Sequence, residues 1–359
     1  MEIEALLKVA LRGGASEVLL KTGSAPRFRF NNEVVPLNEG REIPNEIFQA
    51  WIEKLLPPHL TKRVETLGDA HFSWTSRYGV RFRIFIFRQR QKFSMILRVI
   101  PPQIPSLVDL RMPEQVTNLT KESSGLVVLA GPARAVKSTL MASMLNTINA
   151  TRAGHILTIE DPIEYVFSDQ RSVVEQREVG IDTPSFEKGL KAALQHRPDV
   201  LAISDLRDKE TLELALQAAQ GGSLVLLPMT AMSCADALER LQHQWHSTLD
   251  GTTSHYLASC LRAIVSLTPV RRIDGRGFIA APEVLANTAR LQGWLLGKAN
   301  GESGWAFVKT LLSEKNDPSQ LSLERSLATL VFENIIAKEE ALNRSENEDE
   351  FLRSVRRLG

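Results

Sequence analysis

The residues best suited to chemistry lie in the middle of the chain. After the apolar run Leu126-Val-Val-Leu-Ala130 comes Gly131-Pro-Ala-Arg-Ala-Val-Lys-Ser-Thr139. A phosphate-binding loop, G-x-x-x-x-G-K-[ST], wraps phosphates in backbone N–H groups, reaches the outer ones with its Lys and holds Mg²⁺ through the hydroxyl. Gly131, Lys137, Ser138 and Thr139 fit that pattern, but Val136 stands where the second glycine belongs. Amides curled inward need unusual dihedrals, so Val136 is expected at positive φ, at a cost on the order of 1–3 kcal/mol. Arg134, inside the loop, has two readings. It binds phosphate directly, or it fills an empty nucleotide site as an internal cation. The bland reading of the whole stretch is a strand–turn–helix with a solvated Lys137.

A second cluster is acidic. His155-Ile-Leu-Thr-Ile-Glu-Asp-Pro-Ile-Glu-Tyr-Val166 ends a strand-like run in Glu160, Asp161 and Glu164. Carboxylates so placed can orient Mg²⁺ and an attacking water, or can simply cap a turn before Pro162. Asp205, in Ser204-Asp-Leu-Arg207, ends another such run. The seven histidines show no metal-ligand spacing. Two cysteines, Cys234 and Cys260, exclude a disulfide scaffold or thiolate cluster.

The elements that must hold these groups follow from periodicity. Strand-like runs at Leu126–Ala130, Ile156–Ile159, Val200–Ile203 and Leu224–Leu227 alternate with helical stretches at Ser138–Asn149, Phe186–His196, Lys209–Gln220 and Asp236–His243. That rhythm predicts an α/β domain with a parallel sheet, whose ligands bind beyond the carboxyl ends of the strands. Upstream, a smaller α/β unit is expected over residues 1–100, with helices at Glu2–Leu11 and Pro44–Leu56. Its strands are read at Glu17–Leu20, Val80–Arg88 and Met95–Ile100. Along the second of these Val80, Phe82, Ile84 and Ile86 share one face, with Arg81, Arg83, Phe85 and Phe87 on the other. Pro101-Pro-Gln-Ile-Pro105 marks a linker, taken as 101–112, and a second domain fills 113–359. From about Ser254 onward the chain reads as mostly helical, and Ser345–Glu350 as solvated surface.

Length and charge set the frame. A chain of 359 residues holds two to three domains, and 43 basic against 42 acidic side chains give a net charge of +1. That balance argues against a bulk field for nucleic acid or anionic lipid. No run approaches the ~18 apolar residues of a membrane span, so a cytoplasmic protein is expected. Arginines mixed with aromatics on the Val80–Arg88 strand also admit a single-stranded nucleic-acid reading, or a plain solvated face.

The acidic box resembles that of the secretion and pilus-motor ATPases. Gln176-Arg-Glu-Val-Gly-Ile-Asp-Thr183, Arg197-Pro-Asp-Val200 and Leu206-Arg-Asp208 continue the resemblance in order, as do Gly13-Gly-Ala-Ser-Glu17, Arg81-Phe-Arg83, Ile273-Asp-Gly-Arg-Gly277 and Pro282-Glu-Val-Leu-Ala-Asn-Thr288. Over nearly its full length the chain is similar to the type IV pilus retraction motors (PilT/PilU-like), closer to the PilU branch by Val179-Gly-Ile-Asp-Thr183 and an extended C-terminal tail. The resemblance implies a RecA-like motor domain behind a PAS-like domain, assembled as a cytoplasmic hexamer, homomeric or mixed with an active retraction ATPase. It also implies docking on an inner-membrane platform protein and no nucleic-acid partner.

By the same resemblance ATP and Mg²⁺ sit at Gly131, Arg134, Lys137, Ser138 and Thr139, with Ser138 and Asp161 toward the metal. Glu160, Glu164 and Asp205 take catalytic places, and Arg81, Arg83 and Arg207 are interface arginines. Against the family pattern the site is degraded. Relatives have Gly-Glu where this chain has Ser204-Asp205, Gly-His where it has Gly222-Ser223, and Thr-Leu-His where it has Pro228-Met229-Thr230. Leu296 takes the place of a family arginine in the helix read at Ala289–Gly297. If Val136, Asp205, Ser223 and Thr230 each cost ~1.4 kcal/mol in the transition state, the rate falls about 10⁴-fold. A pseudo-ATPase or weak ATPase is therefore expected. A working motor with a rearranged loop is the alternative, and a nucleic-acid translocase the remote one.

Overall fold

The computed structural model describes residues 2–30, 33–37, 41–133, 136–243, 252–275, 277–297, 303–314 and 317–359. The chain forms two compact units. One comprises Met1–Gln103 with Asp161–Val166 and Glu178–Asp182; the other comprises Ile104–Glu160, Phe167–Arg177 and Thr183–Gly359.

The first unit contains α1 (Ile3–Arg12), β1 (Glu17–Lys21), β2 (Arg27–Phe30), β3 (Glu33–Pro36), α2 (Asn45–Leu55), α3 (Thr61–Leu67), β4 (Asp69–Thr75), β5 (Arg81–Gln89) and β6 (Lys92–Ile100). Its strands make one antiparallel sheet in the order β3-β2-β1-β6-β5-β4. The alternation along β5 is real. Phe82, Ile84 and Ile86 are buried in a core with Met95, Leu97 and Phe48, while Arg81 and Arg83 lie half-buried on the opposite face. α1 buries Ile3, Leu6, Leu7 and Ala10, the i, i+3, i+4, i+7 stripe of an amphipathic helix.

The second unit runs α4 (Glu114–Leu119), β7 (Gly125–Gly131), α5 (Lys137–Thr151), β8 (His155–Glu160), β9 (Val173–Glu178), α6 (Phe186–His196), β10 (Val200–Ile203), α7 (Lys209–Gln220), β11 (Leu224–Thr230), α8 (Cys234–His243) and α9 (Thr252–Cys260). It continues through β12 (Leu261–Arg271), β13 (Phe278–Ala286), α10 (Ala289–Leu295), α11 (Gly304–Ser313), α12 (Leu323–Phe332), α13 (Lys338–Arg344) and α14 (Glu348–Leu358). Seven strands form one sheet in the order β13-β12-β7-β11-β10-β8-β9. From β12 to β8 the neighbours are parallel. Apolar residues fill both faces of these strands, as a helix-covered parallel sheet requires. Ser185 and Asp208 start α6 and α7 by accepting from Lys188 N and Thr211 N.

Three expectations change. The stretch read as helical from Ser254 holds two long strands, β12 and β13, and the helices resume only at Ala289. Both strands carry a proline, the residue that argues most against a strand. β12 pairs with β7 only as far as Ser266, so Pro269 lies beyond the ladder that would need its N–H, and Pro282 sits on the edge strand. Within the stretch read as linker, Leu107 and Met112 are buried in the second unit's core. The Ser345–Glu350 run is structural rather than merely solvated: Glu346 pairs with Lys309 at 2.6 Å and Asn347 caps α14. Cys234 and Cys260 are buried free thiols, and no described helix is long and apolar enough to cross a membrane.

Glu283 of β13 is fully buried, accepting from Cys234 N at 2.7 Å, with the Lys309 ammonium 3.8 Å away. Burial raises its pKa above the ordinary carboxylate value, and Lys309 only partly opposes this. A raised folded pKa contributes stability that is present below the unfolded pKa and lost as pH rises through the folded one. Glu283→Gln is expected to flatten that decline, so its unfolding free energy gains on wild type as pH rises above the ordinary carboxylate range in urea titrations.

Candidate functional site

The parallel registers settle which residues share the carboxyl edge of the second unit's sheet. Gly131 pairs with Thr230, and Ile203 with Ile159. Hence the loop after β7, Glu160 at the end of β8, Asp205 just past β10 and Thr230 at the end of β11 lie along one edge. This is the edge where such sheets place ligands. Ser223 does not join them. It precedes Leu224, which pairs with Gly125 at the start of β7, so seven residues, ~23 Å of strand, separate it from Thr230. Its buried hydroxyl donates to Pro198 O at 2.6 Å, a structural bond at the opposite edge. The assignment of Ser223 to the degraded catalytic set is therefore corrected. Asp205 and Thr230 remain at this edge, and at ~1.4 kcal/mol each the expected deficit from the pair is about 10²-fold.

Val136 is the second correction. It sits at φ −72°, ψ 39°, as the residue before α5, outside the left-handed region. The valine therefore carries no positive-φ strain. As the N-cap it has no side chain that accepts from the first-turn amides, which leaves the helix start without a side-chain cap. Val136→Gly is expected to change stability by less than about 0.5 kcal/mol in urea unfolding, because there is no strain to relieve and glycine's extra backbone entropy is offset by its better fit at an N-cap.

Lys137 opens α5 and turns back on its own loop, donating to Gly131 O at 2.7 Å and Pro132 O at 2.9 Å. Burial pushes its pKa down, with Asp205 opposing. Ser138 and Thr139 follow in the first turn, half-buried. Arg134 lies outside the described residues. Asp205 is exposed and accepts from Arg207 Nε at 3.1 Å, and the Arg207 guanidinium lies 4.9 Å over the Phe186 ring. Glu160 is buried, with one carboxylate oxygen held by Thr158 Oγ1 at 2.7 Å and Gln176 Nε2 at 3.0 Å.

The rest of the acidic box belongs to the first unit, where it meets β4 and β5. Asp161 Oδ1 lies 3.2 Å from His71 Nε2, and Ser73 Oγ donates to Ile163 O at 2.6 Å. Arg81 places two N–H groups on that same carbonyl, at 3.1 and 2.9 Å. Arg83 Nη1 donates to Glu164 Oε1 at 2.6 Å. Glu178 accepts from Ile163 N at 3.0 Å; burial raises its pKa, opposed by that bond and by Arg81. The structure thus brings Arg81, Arg83, Asp161 and Glu164 together, with both arginines engaged on the acidic turn of their own chain.

Sequence reasoning missed the supporting residues Thr158, Gln176, Glu178, His71 and Ser73. A signal existed for two of them, since period-two alternation in β9 puts Gln176 and Glu178 on one face. Among the described residues no group of three or more His, Cys, Asp or Glu could hold a metal ion by itself.

A model of the family described as type II/IV secretion system protein matches residues 80–334. The type IV pilus ATPase PilU of Pseudomonas aeruginosa is 33% identical over 359 residues, all of this chain and 92% of that protein. The type IV pilus retraction ATPase PilT of the same species is 29% identical over 98% of this chain and 100% of its own. The crystal structure of the pilus retraction motor PilT with bound ADP superposes with a TM-score of 0.86 at 31% identity, covering 98% of this chain and 99% of that one. This match bears out the expected α/β, RecA-like parallel-sheet domain with a helical C-terminal part.

Proposed function

The chain belongs to the type II/IV secretion system protein family, and within it to the PilT/PilU-like type IV pilus ATPases; from that premise we propose that it is a ring subunit of a pilus retraction motor that hydrolyses ATP weakly or not at all. The observation that carries this reading is the edge of the parallel sheet. Thr230 and Asp205 stand where relatives have His and Glu, and Lys137 is spent on its own loop carbonyls. Thr230 cannot become cationic beside developing phosphate charge, and Asp205 is one methylene shorter than Glu.

The residues present still suit a nucleotide. Backbone amides at the start of α5, with Lys137, would hold phosphates, and Ser138 would face a Mg²⁺ that draws its other oxygens from the phosphates and from water. ATP supplies the phosphoryl bond; Glu160, held by Thr158 and Gln176, supplies a fixed carboxylate. In this reading the first unit is a PAS-like domain spanning about residues 1–100, and residues 113–359 form the motor domain. The protein acts in the cytoplasm as a homo-hexamer, or in a mixed hexamer with an active retraction ATPase, against an inner-membrane platform protein. Phosphate release from the purified protein is expected well below ~1 s⁻¹. Turnover near that rate, abolished by Lys137→Ala, sinks the proposal.

The relaxed backbone of Val136 favours a second reading, a working motor with a rearranged loop. It requires Arg134→Ala to abolish Mg-ATP binding in calorimetry, whereas the weak-ATPase reading expects turnover to stay low with Arg134 intact.

A further inference from the structure

The last helix has two chemically distinct sides. Phe351 of α14 is fully buried in a cluster with Leu327 and Ala328 of α12, which fixes α14 in place. Arg353 and Arg357, four residues apart, share another face of α14. They line a cavity of about 280 Å³ together with Arg325 of α12 and the hydroxyl-bearing Ser313 and Ser354.

Three guanidiniums converge there although carboxylates are close at hand. Glu346 is committed to Lys309 at 2.6 Å, and Glu324 accepts from Glu346 N and Asn347 N. Glu350 also lines the cavity, but its Oε1 accepts the Ser322 hydroxyl at 2.7 Å. Two of the arginines donate to backbone carbonyls: Arg325 Nη1 to Gln320 O at 3.3 Å and Arg353 Nε to Asp349 O at 3.0 Å. Among the described residues none of the three has a carboxylate partner. Three guanidiniums against the single carboxylate of Glu350 leave the lining with an excess of positive charge, whose mutual repulsion a multiply charged anion would offset. Guanidinium forks match phosphate oxygens in bidentate fashion, and the two serine hydroxyls add donors that a tetrahedral anion can use.

We infer that this pocket binds a phosphate-bearing anion, either free or as the headgroup of an anionic lipid. None of its residues belongs to the loop at 131–139, so its occupancy is separable from nucleotide binding there. Calorimetry with pyrophosphate, on the full chain carrying Lys137→Ala, removes the loop's contribution. In that background Arg353→Gln with Arg357→Gln is expected to weaken binding at least about 10-fold, and the corresponding Arg→Lys pair by less, since charge remains while the fork is lost. Arg353 and Arg357 are exposed, so unfolding midpoints should stay unchanged. Co-sedimentation with vesicles of equimolar phosphatidylglycerol and phosphatidylcholine separates the sources. Arginine-dependent binding to vesicles identifies a lipid headgroup, and binding to pyrophosphate alone a free phosphate. Binding to neither probe, or binding that the Gln pair leaves unchanged, overturns the inference. So does a Gln pair that alters only self-association, which would assign the pocket to a carboxylate-bearing protein surface.

Discussion

Changing Thr230 to His and Asp205 to Glu in one chain is expected to raise ATP hydrolysis about 10²-fold, read as phosphate release at saturating Mg-ATP. Each substitution restores a group that acts in the transition state. A histidine at 230 would stand at the strand position level with Gly131, where the phosphate loop begins, and could carry positive charge as phosphate charge develops. Glutamate at 205 extends the carboxylate by one methylene, and a displacement of ~1 Å is worth up to about 10²-fold where geometry limits the rate. At ~1.4 kcal/mol each, the pair supplies the stated factor. The internal control is Ser223→His, expected to change hydrolysis by less than about 3-fold. Its hydroxyl is buried against Pro198 O at the far edge of the sheet, so histidine there costs stability and approaches no phosphate. An equal gain from Ser223→His, or none from the double change, would refute this placement of the catalytic edge.

The Ser223 case shows how far sequence reasoning reached. The four parallel strands and the helices Phe186–His196 and Lys209–Gln220 were legible because their signals are local: apolar runs, side-chain caps and a helical stripe. Motif spacing gave the residue types at the site, but not which end of a strand each occupied. Ser223 and Thr230 are seven residues apart in sequence, and only the register against β7 separates them in chemistry. The φ of Val136 was illegible for a related reason. A loop motif predicts dihedrals only when the loop keeps its usual conformation, and this one has Lys137 folded onto its carbonyls. β12 and β13 were hidden by prolines whose harmlessness depends on where a neighbouring strand stops. The partners of Arg81 and Arg83 were long-range in sequence, about eighty residues away, beyond any periodic signal.

Those partners support the second large effect. Arg83→Ala is expected to destabilise the first unit by about 2–3 kcal/mol in urea unfolding, enough to shift its folding equilibrium roughly 10²-fold. The Arg83–Glu164 bond is short, 2.6 Å, and each side chain is about a quarter exposed, so the pair is only partly screened by solvent. Removing the guanidinium leaves Glu164 half-buried without its cation and also strips the Phe85 ring of the arginine stacked 5.3 Å over it. Removing Glu164 instead leaves an Arg83 whose Nε is already buried without a partner, so Glu164→Ala should cost a similar amount. The double variant should cost less than the sum by about 1–2 kcal/mol, the coupling expected for one charge-assisted contact. The reversed pair, Arg83→Glu with Glu164→Arg, then separates structure from chemistry. If Glu164 serves only as the arginine's partner, the reversal recovers most of the stability and leaves residual hydrolysis unchanged. If Glu164 also orients the attacking water, stability returns while hydrolysis falls at least about 10-fold, because an arginine cannot act as a general base.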